Sequence, residues 1–266
     1  MPDSMIYAAE QPLRETAIGA DFTDDVFLGG KVMVRQPARG YRAGIDPVLL
    51  AATVTATFAG RVLDVGAGAG TVGLCIAARC PAARVTLVER APELVAFARH
   101  GVKSNGFENR VSVVAADILQ AASQATRETA DFDIVVANPP YYDDAGGTPA
   151  QTALKAASNA MPGDDLDAWL RFITRMSRPG GKAIMIHTAE SLPRLLTAFD
   201  RRFGTLRVLP IHPRANAPAH RILLSGVKGS RAPLTLLPPF VLHAEDGTYT
   251  PAATDIARNA AVLEFL

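Results

Sequence analysis

The chain has 266 residues, 48% of them hydrophobic, and a formal net charge of +1 at pH 7. This length exceeds one average domain but is short for two, so one elaborated domain is the better expectation. The nearly neutral charge neither requires nor excludes an anionic partner. No stretch approaches the roughly 18 uninterrupted apolar residues of a membrane span, so we expect no membrane association.

The cysteines and histidines give no sign of a disulfide or a metal site. Cys75 and Cys80 lie in one predicted helix and point to different faces. The five histidines do not cluster at metal-ligand spacing, so neither zinc nor magnesium is expected. The first 20 residues carry acids and lack an apolar core, which predicts a flexible polar tail rather than a secretory signal. A reducing, cytoplasmic environment is therefore favoured.

The part of the chain before the first buried strand predicts a hairpin and a helix. The hairpin covers Val26–Gln36 and turns at Gly29-Gly30. The helix runs from Asp46 as its N-cap, through Pro47 in its first turn, to about Phe58.

Short apolar runs then alternate with helical patterns. Buried strands are predicted at Arg61–Val65, Arg84–Glu89, Arg110–Ala115, Phe132–Ala137 and Lys182–His187. Helices are predicted at Thr71–Arg79, Pro92–Ser104 and Leu166–Ser177, the last one stopped by the Arg-Pro-Gly-Gly run that follows. Such alternation implies right-handed βαβ units and a parallel sheet.

The remaining chain predicts a helix at Leu192–Arg202, a closing strand pair at Thr205–Ile211 and Arg221–Val227, and a short helix near Ala252–Phe265. The expected fold is α/β and Rossmann-like, with a mostly parallel seven-stranded sheet and an antiparallel edge strand. We expect a tail at 1–20, the hairpin and helix at 21–59, the main domain at 60–231 and a packed C-terminal extension at 232–266.

A glycine-rich turn after the first buried strand predicts a nucleotide-type cofactor. Gly66, Gly68 and Gly70 let the backbone approach a ligand and turn into a helix. Glu89 ends the second strand, where a carboxylate can accept hydrogen bonds from ribose hydroxyls. Asp117 follows the third strand and could meet the adenine edge of the same cofactor.

Two cofactors compete for this turn. The spacing of Gly68, Gly70 and Gly73 also fits the dinucleotide fingerprint, so NAD is an alternative. Asp64 at the end of the first strand favours S-adenosylmethionine, because a carboxylate suits a cationic amino acid moiety and not a pyrophosphate. The Asp-x-Gly-x-Gly-x-Gly string also resembles the first motif of the Rossmann-like methyltransferases.

The fourth strand ends in Asn138, Pro139, Pro140 and Tyr141. This run resembles the signature of methyltransferases that act on planar amines, namely adenine N6, cytosine N4, guanine N2 and the glutamine amide. The Asn138 side-chain oxygen and the Pro139 carbonyl can hold both hydrogens of such an amine and aim its lone pair at a methyl group. Tyr141 then offers a ring for base stacking.

From Asp24 to about Ala252, the chain resembles the bacterial tRNA(Val) adenine-N6 methyltransferases. Matching segments include Phe27-Leu-Gly-Gly-Lys, the Gln36 to Leu50 region, the glycine turn and the Asn138 run. The resemblance implies N6-methylation of an adenine in RNA, next to the anticodon of tRNA(Val). It also implies that Tyr41, Arg42 and Asp46 lie over the cofactor or base pocket, although Asp46 could equally be a simple helix cap.

Other functions stay open from the sequence. Glutamine methyltransferases of release factors share the Asn-Pro-Pro-Tyr run, but carry a helical N-terminal domain where this chain predicts a hairpin. Amino-methylation of ribosomal RNA or DNA is a further alternative, and a catalytically silent RNA-binding module is the alternative outside the enzymes.

One stretch is strongly basic, which favours structured RNA, most of all tRNA, as partner. Between residues 171 and 231 only Glu190 and Asp200 oppose twelve bases. These are Arg171, Arg175, Arg178, Lys182, Arg194, Arg201, Arg202, Arg207, Arg214, Arg221, Lys228 and Arg231.

Overall fold

A computed structural model describes residues 21–39, 42–123, 132–140 and 165–265. Its strands are β1 (Phe22–Phe27), β2 (Val32–Pro37), β3 (Arg61–Val65), β4 (Arg84–Glu89), β5 (Val111–Ala115), β6 (Phe132–Ala137), β7 (Ser177–Thr188), β8 (Phe203–His212), β9 (Arg221–Lys228), β10 (Thr235–Leu236) and β11 (Phe240–Val241). Its helices are α1 (Asp46–Ala52), α2 (Thr71–Arg79), α3 (Pro92–Ser104), α4 (Ile118–Ser123), α5 (Asp165–Met176), α6 (Leu192–Asp200) and α7 (Pro251–Asn259). Within these ranges, every helix is too short or too polar to cross a bilayer.

The main sheet confirms the predicted mostly parallel α/β fold. Its strand order is β10-β8-β9-β7-β6-β3-β4-β5, and β11 also pairs with β8. β3 to β7 run parallel, whereas β9 is antiparallel to both of its neighbours, β7 and β8. The two-residue strands β10 and β11 extend the seven predicted strands at one side. We call the edge at which β3 to β7 end the carboxyl edge and the opposite one the amino edge.

Helices cover both faces of this sheet, which explains why its strands are nearly continuous in apolar residues. In β3, Val62 faces the core shared with α1, α2 and α3, whereas Leu63 faces the core shared with α5 and α6. Both side chains are fully buried. Burial of each such side chain contributes roughly 1.5–3 kcal/mol, so the central strands form a rigid base for the loops at the carboxyl edge.

The N-terminal hairpin and the C-terminal extension pack together. β1 and β2 pair antiparallel from Phe22↔Pro37 to Phe27↔Val32, so the hairpin begins earlier than predicted. Gly29 in its turn has φ +66°, and a Cβ there would lie 2.5 Å from the Arg258 carbonyl oxygen at the end of α7. The predicted tail at 1–20 lies outside the described residues, and the proposed domain boundaries remain predictions.

Several element ends differ from the prediction. α1 ends at Ala52 instead of Phe58, and its N-cap is Ile45 with no side-chain capping bond, so the prediction of Asp46 as a helix cap is wrong. The physical reason is a competing partner, because the Asp46 Oδ2 accepts a hydrogen bond from the Arg221 Nε at 2.9 Å. β7 starts at Ser177, directly after α5, and includes the Arg-Pro-Gly-Gly run expected as a helix stop.

Candidate active site

The glycine turn between β3 and α2 has the geometry expected for close approach of a ligand. Gly66, Gly68 and Gly70 have φ values of +65°, +58° and +89°, a region that L side chains rarely adopt. Added Cβ atoms would meet the Trp169 ring at Gly66 but nothing within 4 Å at Gly68. The backbone at Gly68 is therefore bordered by open space, whereas Gly66 is packed against α5.

Asp64 is a buried carboxylate at the base of this turn. Its Oδ2 accepts a hydrogen bond from the Gly73 backbone N–H at 2.9 Å. Its Oδ1 is buried and lacks a hydrogen-bond partner among the described residues. Burial raises the pKa of Asp64 to about 7, against the opposing effect of the Gly73 bond and with a further contribution from the charge of Glu89.

Two more acids are held by nearby backbone groups. The Glu89 Oε2 accepts from the Gly68 N–H at 2.9 Å, and its Oε1 accepts from the N–H groups of Arg90 and Ala91, both at 2.8 Å. The Asp117 Oδ1 accepts from the Leu119 N–H at 2.9 Å. Glu89 thus links the end of β4 directly to the glycine turn, and Asp117 orients the start of α4.

A cavity at the carboxyl edge brings together four of the residues singled out from the sequence, namely Asp64, Gly66, Gly68 and Asn138. Its remaining lining comes from three places: the end of β2 and the chain up to α1, the rest of the glycine turn with the start of α2, and α3. These residues are Gln36, Pro37, Arg39, Ala43, Pro47, Ala67, Ala69, Thr71, Val72 and Leu94.

This cavity fits S-adenosylmethionine. The orphaned Asp64 Oδ1 needs a hydrogen-bond donor, and the ammonium of an amino acid moiety supplies one with a favourable charge. Open space borders Gly68 in the glycine turn, which leaves room for the cofactor there. The backbone N–H of Gly68 itself donates to the Glu89 carboxylate. Asp64 and the glycine turn would hold the cofactor, and Asn138 lines the same cavity. Glu89 and Asp117 do not line it, and their contacts with the cofactor stay predictions.

The Asn138 run follows β6 at the carboxyl edge. Ala137 pairs with Val65 on one side and with Met185 on the other, so Asn138 is located between the glycine turn and the end of β7. Pro139 is buried and Pro140 is partly buried, which fixes the course of the chain after the strand. Tyr141 lies outside the described residues, as does the loop 143–163.

Arg42 and Asp46, two of the pocket residues implied by the resemblance, do not line the cavity. Arg42 pairs with Asp25, with the Arg42 Nη2 2.6 Å from the Asp25 Oδ2, and Asp46 pairs with Arg221. Both flank lining residues, since Ala43 follows Arg42 and Pro47 follows Asp46. Tyr41 lies outside the described residues.

Gln36 is a buried residue that lines the cavity and was not predicted as a site residue from the sequence. Only 3% of it is exposed, its Nε2 donates to the Asp25 Oδ2 at 2.7 Å, and its Oε1 accepts from the Ala43 N–H at 2.7 Å. These bonds tie β1, β2 and the chain before α1 into one wall of the cavity. A polar residue at an inward position of a predicted strand was the available signal.

The basic stretch does not form one surface. Arg194, Arg214 and Arg221 lie at the carboxyl edge, whereas Arg178, Arg201 and Lys228 lie at the amino edge. Several of its members have internal roles: Arg178 pairs with Asp133, Arg202 with Asp167, and Lys228 donates to the Ser177 carbonyl. In the described part of the chain, no group of three or more His, Cys, Asp or Glu residues could hold a metal ion.

Comparisons with known proteins identify the family and support the fold. A family model described as methyltransferase small domain matches residues 43–163. A tRNA1(Val) (adenine(37)-N6)-methyltransferase of Shewanella loihica is 32% identical over 190 residues, which are 70% of this chain and 77% of the relative. The protein of the same name from Aeromonas hydrophila is 29% identical over 79% of this chain and 85% of its own length.

A solved structure from Agrobacterium tumefaciens, titled a predicted O-methyltransferase, is 31% identical with a TM-score of 0.67. The match covers 82% of this chain and 98% of that chain. The fold and the sequence relatives therefore agree on a methyltransferase that uses S-adenosylmethionine as its methyl donor.

Proposed function

Since the chain belongs to the family of the tRNA1(Val) (adenine(37)-N6)-methyltransferases, we propose that it methylates N6 of an adenine in tRNA. The proposed position is the adenine next to the anticodon of tRNA(Val), as the resemblance implies, and the names of the relatives give adenine 37 of tRNA1(Val) for those proteins. The observation that carries the proposal is the shared cavity, which Asn138 lines together with the glycine turn and Asp64.

The proposed chemistry rests on two rigid acceptors. S-adenosylmethionine, when bound, supplies an electrophilic methyl group. An exocyclic amine is a weak nucleophile because its lone pair is delocalised into the ring. The Asn138 side-chain oxygen and the Pro139 carbonyl would accept its two hydrogens and turn the lone pair towards the methyl carbon.

Positioning would provide most of the rate enhancement. A methyl transfer by direct displacement would depend on alignment of the amine more than on a strong base, and Asn138 and Pro139 would provide that alignment. Pro139 and Pro140 restrict the backbone that carries the second acceptor. Stacking of the target base on the Tyr141 ring stays a prediction from the sequence.

The number of acceptors favours nitrogen over oxygen as the methyl acceptor. A hydroxyl carries one hydrogen and would use one of the two acceptors, whereas an amino group uses both. The relative titled as a predicted O-methyltransferase makes the distinction worth testing directly.

The test compares RNA from cells that lack the protein with RNA from cells given back a variant of it. Total RNA is separated into tRNA and ribosomal RNA, digested to nucleosides, and N6-methyladenosine is measured by mass spectrometry. The wild type should restore N6-methyladenosine in the tRNA fraction. Asn138→Ala should not restore it. Turnover of the purified variant should fall by a factor on the order of 10²–10³, because one of the two hydrogen-bond acceptors for the amine is removed.

A matched control separates the site from general damage. Asn109→Ala changes an exposed asparagine at the amino edge and should behave like the wild type. Cofactor affinity measured by calorimetry should be unchanged in both variants. Restoration by Asn138→Ala would refute the proposed role of Asn138 in holding the amine, and an N6-methyladenosine signal confined to ribosomal RNA would refute the tRNA assignment.

A further inference from the structure

The inner face of the N-terminal hairpin changes from apolar to polar where it reaches the cavity. Alternate side chains of β2 lie on one face of the hairpin, and on this face Val32 and Val34 are fully buried. Gln36 is the next residue of this series, and it is both buried and part of the cavity lining. A buried amide costs free energy unless its polar atoms are hydrogen-bonded, so the partners of Gln36 indicate what it does.

Both polar atoms of the Gln36 amide bond to other segments. Its Oε1 accepts from the Ala43 N–H, and its Nε2 donates to the Asp25 Oδ2, each at 2.7 Å. Ala43 lines the cavity too. Asp25 lies on β1, two residues beyond Thr23, the direct cross-strand partner of Gln36. Gln36 therefore connects a lining residue before α1 with the strand behind it.

Asp25 holds the same segment at a second point. Its carboxylate accepts from the Arg42 Nη2, with distances of 2.7 Å to Oδ1 and 2.6 Å to Oδ2, and from the Thr23 hydroxyl at 3.3 Å. Arg42 directly precedes Ala43, so two adjacent residues of the chain before α1 are tied to the hairpin. The bond from the guanidinium is charge-assisted, which strengthens it and compensates the charge of the carboxylate.

The tied segment and the glycine turn border one space. Gln36 and Ala43 line the same cavity as Asp64, Gly66 and Gly68. A shift of Ala43 would therefore change the shape of the space beside the glycine turn. Groups that are fixed before binding give a ligand more affinity, because no free energy is spent on ordering them.

We propose that Gln36 is a positioning residue for S-adenosylmethionine. Its bonds to the Ala43 N–H and to Asp25 hold the chain before α1 in the place where the cofactor fits between this chain and the glycine turn. Gln36 acts through Ala43 and takes no part in methyl transfer. The role rests on the cofactor part of the proposed function and not on the identity of the methyl acceptor.

A first test measures the hydrogen bond itself in the cofactor-free, full-length protein. Gln36→Leu keeps a side chain of similar size but removes the acceptor for the Ala43 N–H. Amide hydrogen exchange followed by NMR should show a protected Ala43 N–H in the wild type and roughly tenfold faster exchange in the variant. Equal exchange in the two proteins would overturn the positioning role.

A second test measures cofactor binding by calorimetry. Gln36→Leu should raise the Kd for S-adenosylmethionine roughly five- to thirtyfold, because the Ala43 N–H and one Asp25 oxygen lose their partner. The KM for the cofactor should rise by a similar factor, with kcat and the KM for tRNA nearly unchanged. Asp25→Ala should resemble Gln36→Leu, whereas Asp25→Asn keeps an acceptor oxygen for Gln36 and should preserve most of the affinity.

A matched control separates positioning from general stability. Asn105 also bonds to β2, since its Oδ1 accepts from the Met33 N–H at 2.9 Å and its Nδ2 donates to the Met33 carbonyl at 2.7 Å. It caps the end of α3 and does not line the cavity. Asn105→Leu should lower the free energy of unfolding about as much as Gln36→Leu does, but it should leave the cofactor Kd as in the wild type.

The outcomes separate this role from the rest of the proposed function. An unchanged cofactor Kd in Gln36→Leu, or an equal rise in Asn105→Leu, would overturn the positioning role. A rise confined to the KM for tRNA would also contradict it. A wild-type enzyme that binds S-adenosylmethionine but does not methylate tRNA would refute the proposed substrate, while a raised Kd in Gln36→Leu alone would still support the role of Gln36.

Discussion

Two parts of the carboxyl edge are organised differently: the proposed cofactor side, with Asp64, Glu89 and Asp117, and the proposed substrate side, with Asp46 and Arg221. On the cofactor side, Asp64, Glu89 and Asp117 accept hydrogen bonds from backbone N–H groups that are 1 to 21 residues away in the chain. On the substrate side, Asp46 reaches Arg221 across 175 residues. The first arrangement is built into a strand, a turn and a helix, whereas the second depends on the assembled fold.

This difference has a functional meaning. A cofactor is constant, so a rigid backbone frame with fixed donors gives it the same geometry in every turnover. A substrate-binding edge made of side chains from separate segments can change its specificity while the frame stays intact. Substitutions in the glycine turn should therefore damage stability and cofactor binding together, and substitutions among the long-range pairs should act more mildly.

The largest expected effect comes from Gly66→Ala. The new Cβ would clash with the Trp169 ring and would force alanine to adopt φ +65°, so we expect a loss of about 3 kcal/mol in the free energy of unfolding. Denaturant-induced unfolding followed by circular dichroism measures this loss. Gly68→Ala is the matched control, because its φ is +58° but its Cβ would meet nothing within 4 Å. It should cost only about 1–2 kcal/mol.

Equal losses in the two alanine variants would contradict the packing role of Trp169. The result would then be explained by backbone conformation alone. A Trp169→Ala exchange that rescues Gly66→Ala would sharpen the same conclusion, since it removes the ring that the new methyl group meets.

The local design of the cofactor side is the reason why it could be predicted. Strand β3, the glycine turn and α2 follow in one stretch, and the bounds of β3, β4, β6, α2 and α3 agree with the prediction. Apolar periodicity and glycine spacing are local properties, so they determine these elements without knowledge of the rest of the fold. Gly68 and Glu89 were singled out separately, and their hydrogen bond was not foreseen.

The substrate side could not be predicted in the same detail, because its contacts join distant segments. The sequence offered a helix cap for Asp46, and only the fold brings Arg221 to it. Likewise, the bases of one stretch are divided between the two edges of the sheet, with Arg194, Arg214 and Arg221 at one edge and Arg178, Arg201 and Lys228 at the other, because β7, β8, β9 and α6 reverse direction. A count of charges along the sequence contains no information on such reversals of the chain.

A pH effect at Asp64 tests the electrostatics of the cofactor side. Its pKa is raised from 3.8 to about 7 by burial, so the native state keeps a proton that the unfolded state releases at lower pH. The contribution of Asp64 to stability is therefore fully present below about pH 4 and is lost as the pH rises to about 7. In the cofactor-free protein, Asp64→Asn should remove this pH dependence and be the relatively more stable form at pH 8.

Cofactor binding should show the reverse trend with pH. An ammonium beside Asp64 favours the carboxylate, so wild-type affinity for S-adenosylmethionine should increase through pH 7, with proton release on binding. Calorimetry in buffers of different ionisation enthalpy measures the released protons. Identical pH profiles of Asp64→Asn and wild type, in stability and in binding, would show that Asp64 does not titrate in this range.

The smallest expected effect belongs to the long-range pair of the substrate side. The Asp46 and Arg221 side chains are 18% and 31% exposed, so solvent screens their attraction. A double-mutant cycle with Asp46→Asn and Arg221→Gln should give a coupling of about 0.5–1 kcal/mol in unfolding free energy.

The same cycle on Asp24 and Arg35, a pair within the hairpin, provides the local comparison. A coupling near zero at Asp46–Arg221 would mean that other contacts hold α1 at the sheet. The proposed contrast between a site half held by backbone groups and one held by side chains would then fail. A coupling in the expected range, with a raised KM for tRNA and unchanged cofactor affinity, would assign the pair to the substrate side.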